Sequence, residues 1–163
     1  MHGDRLLVPK NSNISGFLDL RGQRWIAIPN SDPQARDRAL AWAQSVNVGV
    51  EFYYTNETDL GYAILVENNA NVAYGDSIIL LQNLITYPDE LAFTQRWYSQ
   101  TFNAFALPRN DIDFRLLVDY TLQELARDGT LNQIISPLLP PEETLNFEIW
   151  PGPRSYAGIQ LGS

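Results

Sequence analysis

Short apolar runs alternate with amphipathic stretches along most of the chain. Residues 5–9 (RLLVP) read as a strand, closed by Pro9 and a polar turn over 10–15. Residues 25–28 (WIAI) form a second, buried strand. The loop PNSDP at 29–33 then supplies Asp32 as a helix N-cap and Pro33 as the first helical residue. The helix that follows is predicted to place Ala35, Ala39, Trp42, Ala43 and Val46 on one face, at a period of about 3.6 residues. Residues 50–54 (VEFYY) give a third strand. Thr55 caps a further helix with Glu57 and Asp59 in its first turn, where the helix dipole favours acids, and with Leu60, Ala63 and Ile64 facing inward.

In the stretch NANVAYGDSIILLQ, residues 69–82, a strand over 72–74 runs through Gly75 and Asp76 into a helix over 77–84. Gly75 permits a sharp turn and Asp76 suits the cap of that helix. A carboxylate there also stands at the carboxyl end of a strand, where open α/β sheets bind ligands. Helix cap and ligand-gripping acid both remain open for Asp76 at this point. Residues 91–93 and 102–107 read as two more strands. A long helix follows over 112–128, with Phe114, Leu117, Val118, Thr121, Leu122 and Leu125 as its apolar stripe. Gly129 ends that helix, and Thr130 caps a short successor over 131–135. Strands alternating with helices in this way predict an α/β fold with a parallel or mostly parallel sheet. Beyond Ser136 the pattern stops. That segment holds five of the ten prolines and reads as an extended tail or linker, with 145–150 as a short strand within it.

Composition narrows the function more than the fold. At 163 residues the chain is one domain or slightly more. Eleven basic against nineteen acidic side chains leave a formal charge of −8, which disfavours nucleic acid and anionic membrane as partners. No cysteine is present, and the one histidine is His2, so neither thiolate metal sites nor histidine-based triads and zinc sites are expected. No apolar run has the length of a membrane span, and residues 1–4 lack the basic lead and apolar stretch of a signal peptide. No nucleophile–base set stands out. The expectation is a non-enzyme without cofactor or metal.

Three separated segments, in order, resemble one family. DLRGQRWIAIPNSD (19–32), NANVAYGD (69–76) and FALPRNDIDFRLLVDYTLQELARDGTLNQI (105–134) look like the bacterial extracellular solute-binding proteins of family 3, the polar amino-acid type. The resemblance implies a periplasmic-binding-protein type II fold: a mostly parallel sheet lobe with flanking helices, and part of a second lobe. It divides the chain into a hinge strand from the first lobe (1–10), the second lobe (11–101), a return hinge with closing helices of the first lobe (102–136), and the proline-rich tail (137–163). The opening portion of the first lobe is absent from this division, which leaves the stripe on helix 112–128 short of a covering sheet. The implied function is the substrate-binding component of an ABC uptake transporter, periplasmic or extracytoplasmic, working with membrane permease subunits on a small polar solute such as an amino acid. The alternatives are a ligand-sensing domain of a signal-transduction receptor or a dehydratase-like enzyme on the same fold.

By position, Asn30, Ser31 and Asp32 stand where the family has the Gly-Ser-Thr turn that receives a ligand carboxylate, and Asp76 stands where it has the acid that accepts the ligand ammonium. Helix N-termini and strand-end acids suit those two jobs physically. Asp32 departs from the pattern. An acid there would repel a ligand carboxylate, by roughly 4 kcal/mol for two charges about 4 Å apart at an effective dielectric near 20. A more positively charged ligand would instead suit Asp32 and Asp76 together.

Overall fold

The computed structural model describes residues 2–22, 25–101 and 105–138. The chain divides into two compact units: His2–Thr101, and Phe102–Ser163 together with Met1.

The larger unit is a five-stranded sheet in the order β3-β2-β4-β1-β5. Its strands are β1 (Asp4–Pro9), β2 (Trp25–Pro29), β3 (Glu51–Thr55), β4 (Val72–Asp76) and β5 (Leu91–Phe93). β2 runs parallel to both β3 and β4, while β1 runs antiparallel to β4 and β5. Four strands therefore point one way and only β1 opposes them, so the sheet is mostly parallel, as the alternating pattern predicts. The apolar runs are continuous because both faces of the sheet are covered. Leu6, Val8, Ile26, Ile28, Val72 and Tyr74 face one core, which is closed by Ala35, Ala39 and Ala43 of helix α1 (Pro33–Ser45). Leu7, Ala27 and Ala73 face the other, closed by Leu60 and Ile64 of α2 (Leu60–Leu65) and by Leu80 and Leu84 of α3 (Ser77–Thr86). Trp42 and Val46 pack at the rim of the first core, completing the stripe read from the sequence.

Two polar devices hold the helical layer. Asn83 of α3 is 1% exposed; its Oδ1 accepts the Gly61 backbone N–H at 2.8 Å, and its Nδ2 donates to the Glu57 carbonyl at 2.6 Å. It thereby satisfies a first-turn amide of α2 that no intrahelical carbonyl can reach. Gly61 must be small, since a Cβ there would lie 2.9 Å from Leu91 and 3.0 Å from Tyr87. Arg5, on the same face of β1 as Leu7, places its guanidinium carbon 4.3 and 4.8 Å from the ring centroids of Phe93 and Trp97 and donates to the Thr94 carbonyl. Tyr98 joins Phe17, Trp42 and Tyr74 in an edge-to-face cluster, and Arg96 sits over Trp42 and Tyr98. The unit closes on itself where His2 and Thr101 pair through their backbones.

Among its described residues the smaller unit contains α4 (Ile112–Arg127), α5 (Thr130–Ile135) and a 3-10 turn, Ser136–Leu138. Asp111 caps α4 through the Phe114 amide, and Gly129, at φ +83°, turns the chain out of it. Thr130 is the first residue of α5 rather than its cap; the Asp128 carboxylate takes its amide at 2.9 Å. No side chain of α4 is buried among the described residues, with Ile112, Phe114, Leu117 and Tyr120 all exposed. Residues 105–107 carry no regular structure, so the strand expected over 102–107 is not formed there; Leu107 is followed by Pro108, which cannot donate to a ladder. The rest of that strand, 102–104, and the strand expected over 145–150 lie outside the described residues.

Replacing Asn83 with Ala is expected to destabilise the larger unit by about 2–4 kcal/mol, because the Gly61 amide and the Glu57 carbonyl both lose a buried partner. Urea unfolding followed by far-UV circular dichroism checks this; a change below about 0.5 kcal/mol would contradict it.

Candidate functional site

The loops that leave the carboxyl ends of β2, β3 and β4 converge on one edge of the sheet. From β2, Asn30 donates its amide to the Thr55 carbonyl at 2.9 Å, which prolongs the ladder with β3. Asp32 then caps α1, its Oδ1 accepting the Ala35 amide at 3.1 Å. Pro33 follows as the first helical residue, where its missing N–H and fixed φ suit the first turn. From β4, Asp76 caps α3, its Oδ1 accepting the Ile78 amide at 2.9 Å. The parallel register pairs Ile26 with Val72 and Ala27 with Ala73, and continuing it brings Asn30 level with Asp76. The four residues singled out in the sequence thus share one edge of one unit. Asn30 and Ser31, with Asn56, Glu57 and Thr58 from the loop after β3, line an open depression of about 420 Å³. Asp32 and Asp76 are not among its lining residues; each is committed to the N-terminus of a helix.

The charge of Asp32 is not exposed to a ligand as the sequence suggested. Arg38, one and a half turns further along α1, places Nη2 2.6 Å from Asp32 Oδ2 and 3.0 Å from Asp4 Oδ1, with Nε 2.7 Å from Asp4 Oδ2. A single guanidinium therefore bridges two carboxylates, one at a helix cap and one at the start of β1. Asp4 is only 2% exposed, and the Tyr74 hydroxyl donates to it at 3.1 Å. Hydrogen bonding to Asp4, then to Asp32, raises the pKa of Arg38 above the ordinary guanidinium range, against the opposing effect of burial. Burial first, and then the Asp4 charge, raise that of the Tyr74 phenol. With Arg38 in contact, the Asp32 carboxylate belongs to an ion pair, which reduces the repulsion expected of a bare charge at this helix N-terminus, although one guanidinium against two carboxylates leaves the cluster with a net negative charge.

The second carboxylate edge is built differently. Asp76 Oδ2 lies 2.6 Å from Nδ1 of His2, which leads into β1. Their side chains are 21% and 13% exposed, so the pair is partly open to solvent. Sequence reasoning missed Asp4, Arg38 and His2. Asp4 did leave a signal: with Arg5 it puts two charges at the head of the apolar run Leu6–Val8, and a carboxylate in a buried strand requires a partner. Arg38 left none, because nothing in its spacing from Asp4 encodes their contact.

Arg38→Met is expected to destabilise the unit by about 3–5 kcal/mol, since it leaves the Asp4 charge buried without its cation. Adding Asp4→Asn should recover part of that loss in a double-mutant cycle; equal and additive single effects would contradict the pairing. Alkaline stability follows from Tyr74. A phenol whose folded pKa lies above its unfolded value keeps its proton in the native state where the unfolded chain has lost it, so stability is full below about pH 10 and falls above it. Denaturant titrations between about pH 8 and 11 should show that decline, and Tyr74→Phe should make it shallower. Burial also raises the Tyr98 pKa, so a residual slope is expected in that variant.

No protein-family model and no curated protein matches the sequence. Solved structures do match. The L-cystine solute receptor of Neisseria gonorrhoeae, in its unliganded open conformation, is similar at a TM-score of 0.64 and 14% identity over 89% of this chain and 59% of its own. The second substrate-binding domain of an amino acid ABC transporter assigned in Streptococcus pneumoniae gives 0.68 and 19% over 85% of this chain and 61% of its own. The GluR0 ligand-binding core, solved with L-glutamate, gives 0.58 and 18% over 85% and 60%. The chain spans about three-fifths of the length of these structures. At this level of identity what is shared is the fold, and the fold of this chain is that of the periplasmic-binding-protein type II proteins.

Proposed function

We propose that the chain is a solute-binding lobe of the family 3 type, taking a small polar solute such as an amino acid at the carboxyl edge of its sheet. The observation that carries this reading is the position of Asp76. It is a partly exposed carboxylate at the end of β4, level with the N-terminal turn of α1, in a fold shared with amino-acid binding proteins. An α-amino acid needs an acid for its ammonium and backbone amides for its carboxylate. Asp76 supplies the first, and within the turn at Asn30, Ser31 and Asp32 the Ser31 amide supplies the second, helped by the helix dipole, the Asn30 and Asp32 amides being bonded to the Thr55 and Pro29 carbonyls. Arg38 makes that turn acceptable to an anion by pairing with the Asp32 side chain. In this reading residues 1–10 form a hinge strand and 11–101 the lobe, while 102–136 return to a first lobe and 137–163 are a tail. The setting is extracytoplasmic, and delivery to ABC permease subunits follows from the same reading.

The experiment is an NMR titration of the 163-residue chain with L-arginine, L-glutamine and L-glutamate in turn. At least one should shift the amides of residues 30–35 and 76–78. Asp76→Asn should weaken that ligand by about 2 kcal/mol, the low end of the loss expected when one partner of a hydrogen-bonded charge pair is removed, because Asp76 is partly exposed. Unchanged affinity would return Asp76 to service as a helix cap alone, and no shift with any of the three would remove the amino-acid assignment.

A further inference from the structure

We propose that His2 is a positioning residue of this site which gates Asp76 by its own charge. The inference rests on the reading of Asp76 as the acceptor of a ligand cation. Asp76 has two oxygens, and both are engaged: Oδ1 by the Ile78 amide at 2.9 Å and Oδ2 by His2 Nδ1 at 2.6 Å. The first contact is built into the helix and has no alternative. The second is made by the one side chain at this edge whose type ordinarily changes charge near neutrality. An ammonium or guanidinium arriving at Asp76 therefore shares the carboxylate with the imidazole.

The two protonation states of His2 treat such a ligand differently. A neutral imidazole that donates from Nδ1 fixes the carboxylate rotamer and leaves its negative charge for the newcomer, since a carboxylate accepts at more than one lone pair per oxygen. An imidazolium cancels that charge and adds a positive one within about 5 Å of the incoming cation. Among the described residues, the charged side chains next to the pair are engaged with one another. Asp4 is Asp76's direct cross-strand partner in the β1–β4 register, but its carboxylate is taken by Arg38 and Tyr74, and Arg38 also holds Asp32. Backbone pairing of His2 with Thr101 fixes the main chain independently of the ring, so the imidazole can be exchanged without moving its anchor.

The test measures the affinity of the chain for L-arginine, whose guanidinium stays charged throughout, by NMR titration between about pH 5.5 and 8. Affinity should rise by about tenfold across that range, the size set by two like charges near a screened surface. His2→Asn, which keeps an N–H donor for Asp76 without a titrating charge, should bind at every pH as the native chain binds at pH 8. His2→Ala should also give a flat profile but weaker binding, because the carboxylate loses its orienting donor. The chain holds one histidine, so a rise that persists in His2→Asn would belong to another group, such as the amino terminus, and would overturn the inference. A flat native profile, or affinity that rises toward acid, would overturn it too while leaving Asp76 as acceptor if Asp76→Asn still abolishes binding. No binding of L-arginine at any pH, with binding of another of the amino acids, would overturn the gate alone; no binding of any would remove both readings.

Discussion

A buried carboxylate organises the functional edge of this fold. Asp4 opens β1 inside the sheet, where an unpaired charge is costly, and Arg38 reaches it from α1. Because the same guanidinium grips Asp32, the N-terminus of α1 is tied to β1, a strand it does not follow in sequence. That tie fixes where the first-turn amides of α1 point. It also offsets part of the negative charge that Asp32 and Asp4 bring to this helix N-terminus. Structure and recognition chemistry are thus set by one cation.

The edge is asymmetric as a result. On the α1 side the acid is consumed by a permanent cation, leaving backbone amides as the available chemistry. On the β4 side the acid meets a histidine at 2.6 Å, in a pair partly open to solvent. A solute with an ammonium at one end and a carboxylate at the other matches that division. Asn56 and Glu57 border the depression beside α1, so groups projecting there meet an amide and an acid.

Much of the fold was legible in the chain because its signals are local. Asp32-Pro33, Gly75-Asp76 and the alanine spacing of α1 each specify a turn, a cap or a close-packed face without reference to distant residues. The direction of β1 was not legible. Parallel and antiparallel neighbours use the same apolar alternation when both faces are buried, so Leu6, Leu7 and Val8 carry no mark of orientation. The site divides in the same way. Asn30, Ser31, Asp32 and Asp76 stand out in the chain because caps and strand ends are sequence features, whereas Arg38 and His2 make contacts across 34 and 74 positions respectively, which no periodicity encodes. The unfavourable charge assigned to Asp32 followed from that blindness: the acid was visible and its partner was not.

The account depends most on Asp76 being the atom group that meets the solute. The direct measurement is the side-chain carboxylate carbon resonance of each aspartate, followed by carbon-detected NMR as L-arginine is added. The Asp76 resonance should move with saturation while that of the buried Asp4, held by Arg38 and Tyr74, stays where it is. A stationary Asp76 beside moving resonances elsewhere would place the solute at another surface and contradict the account.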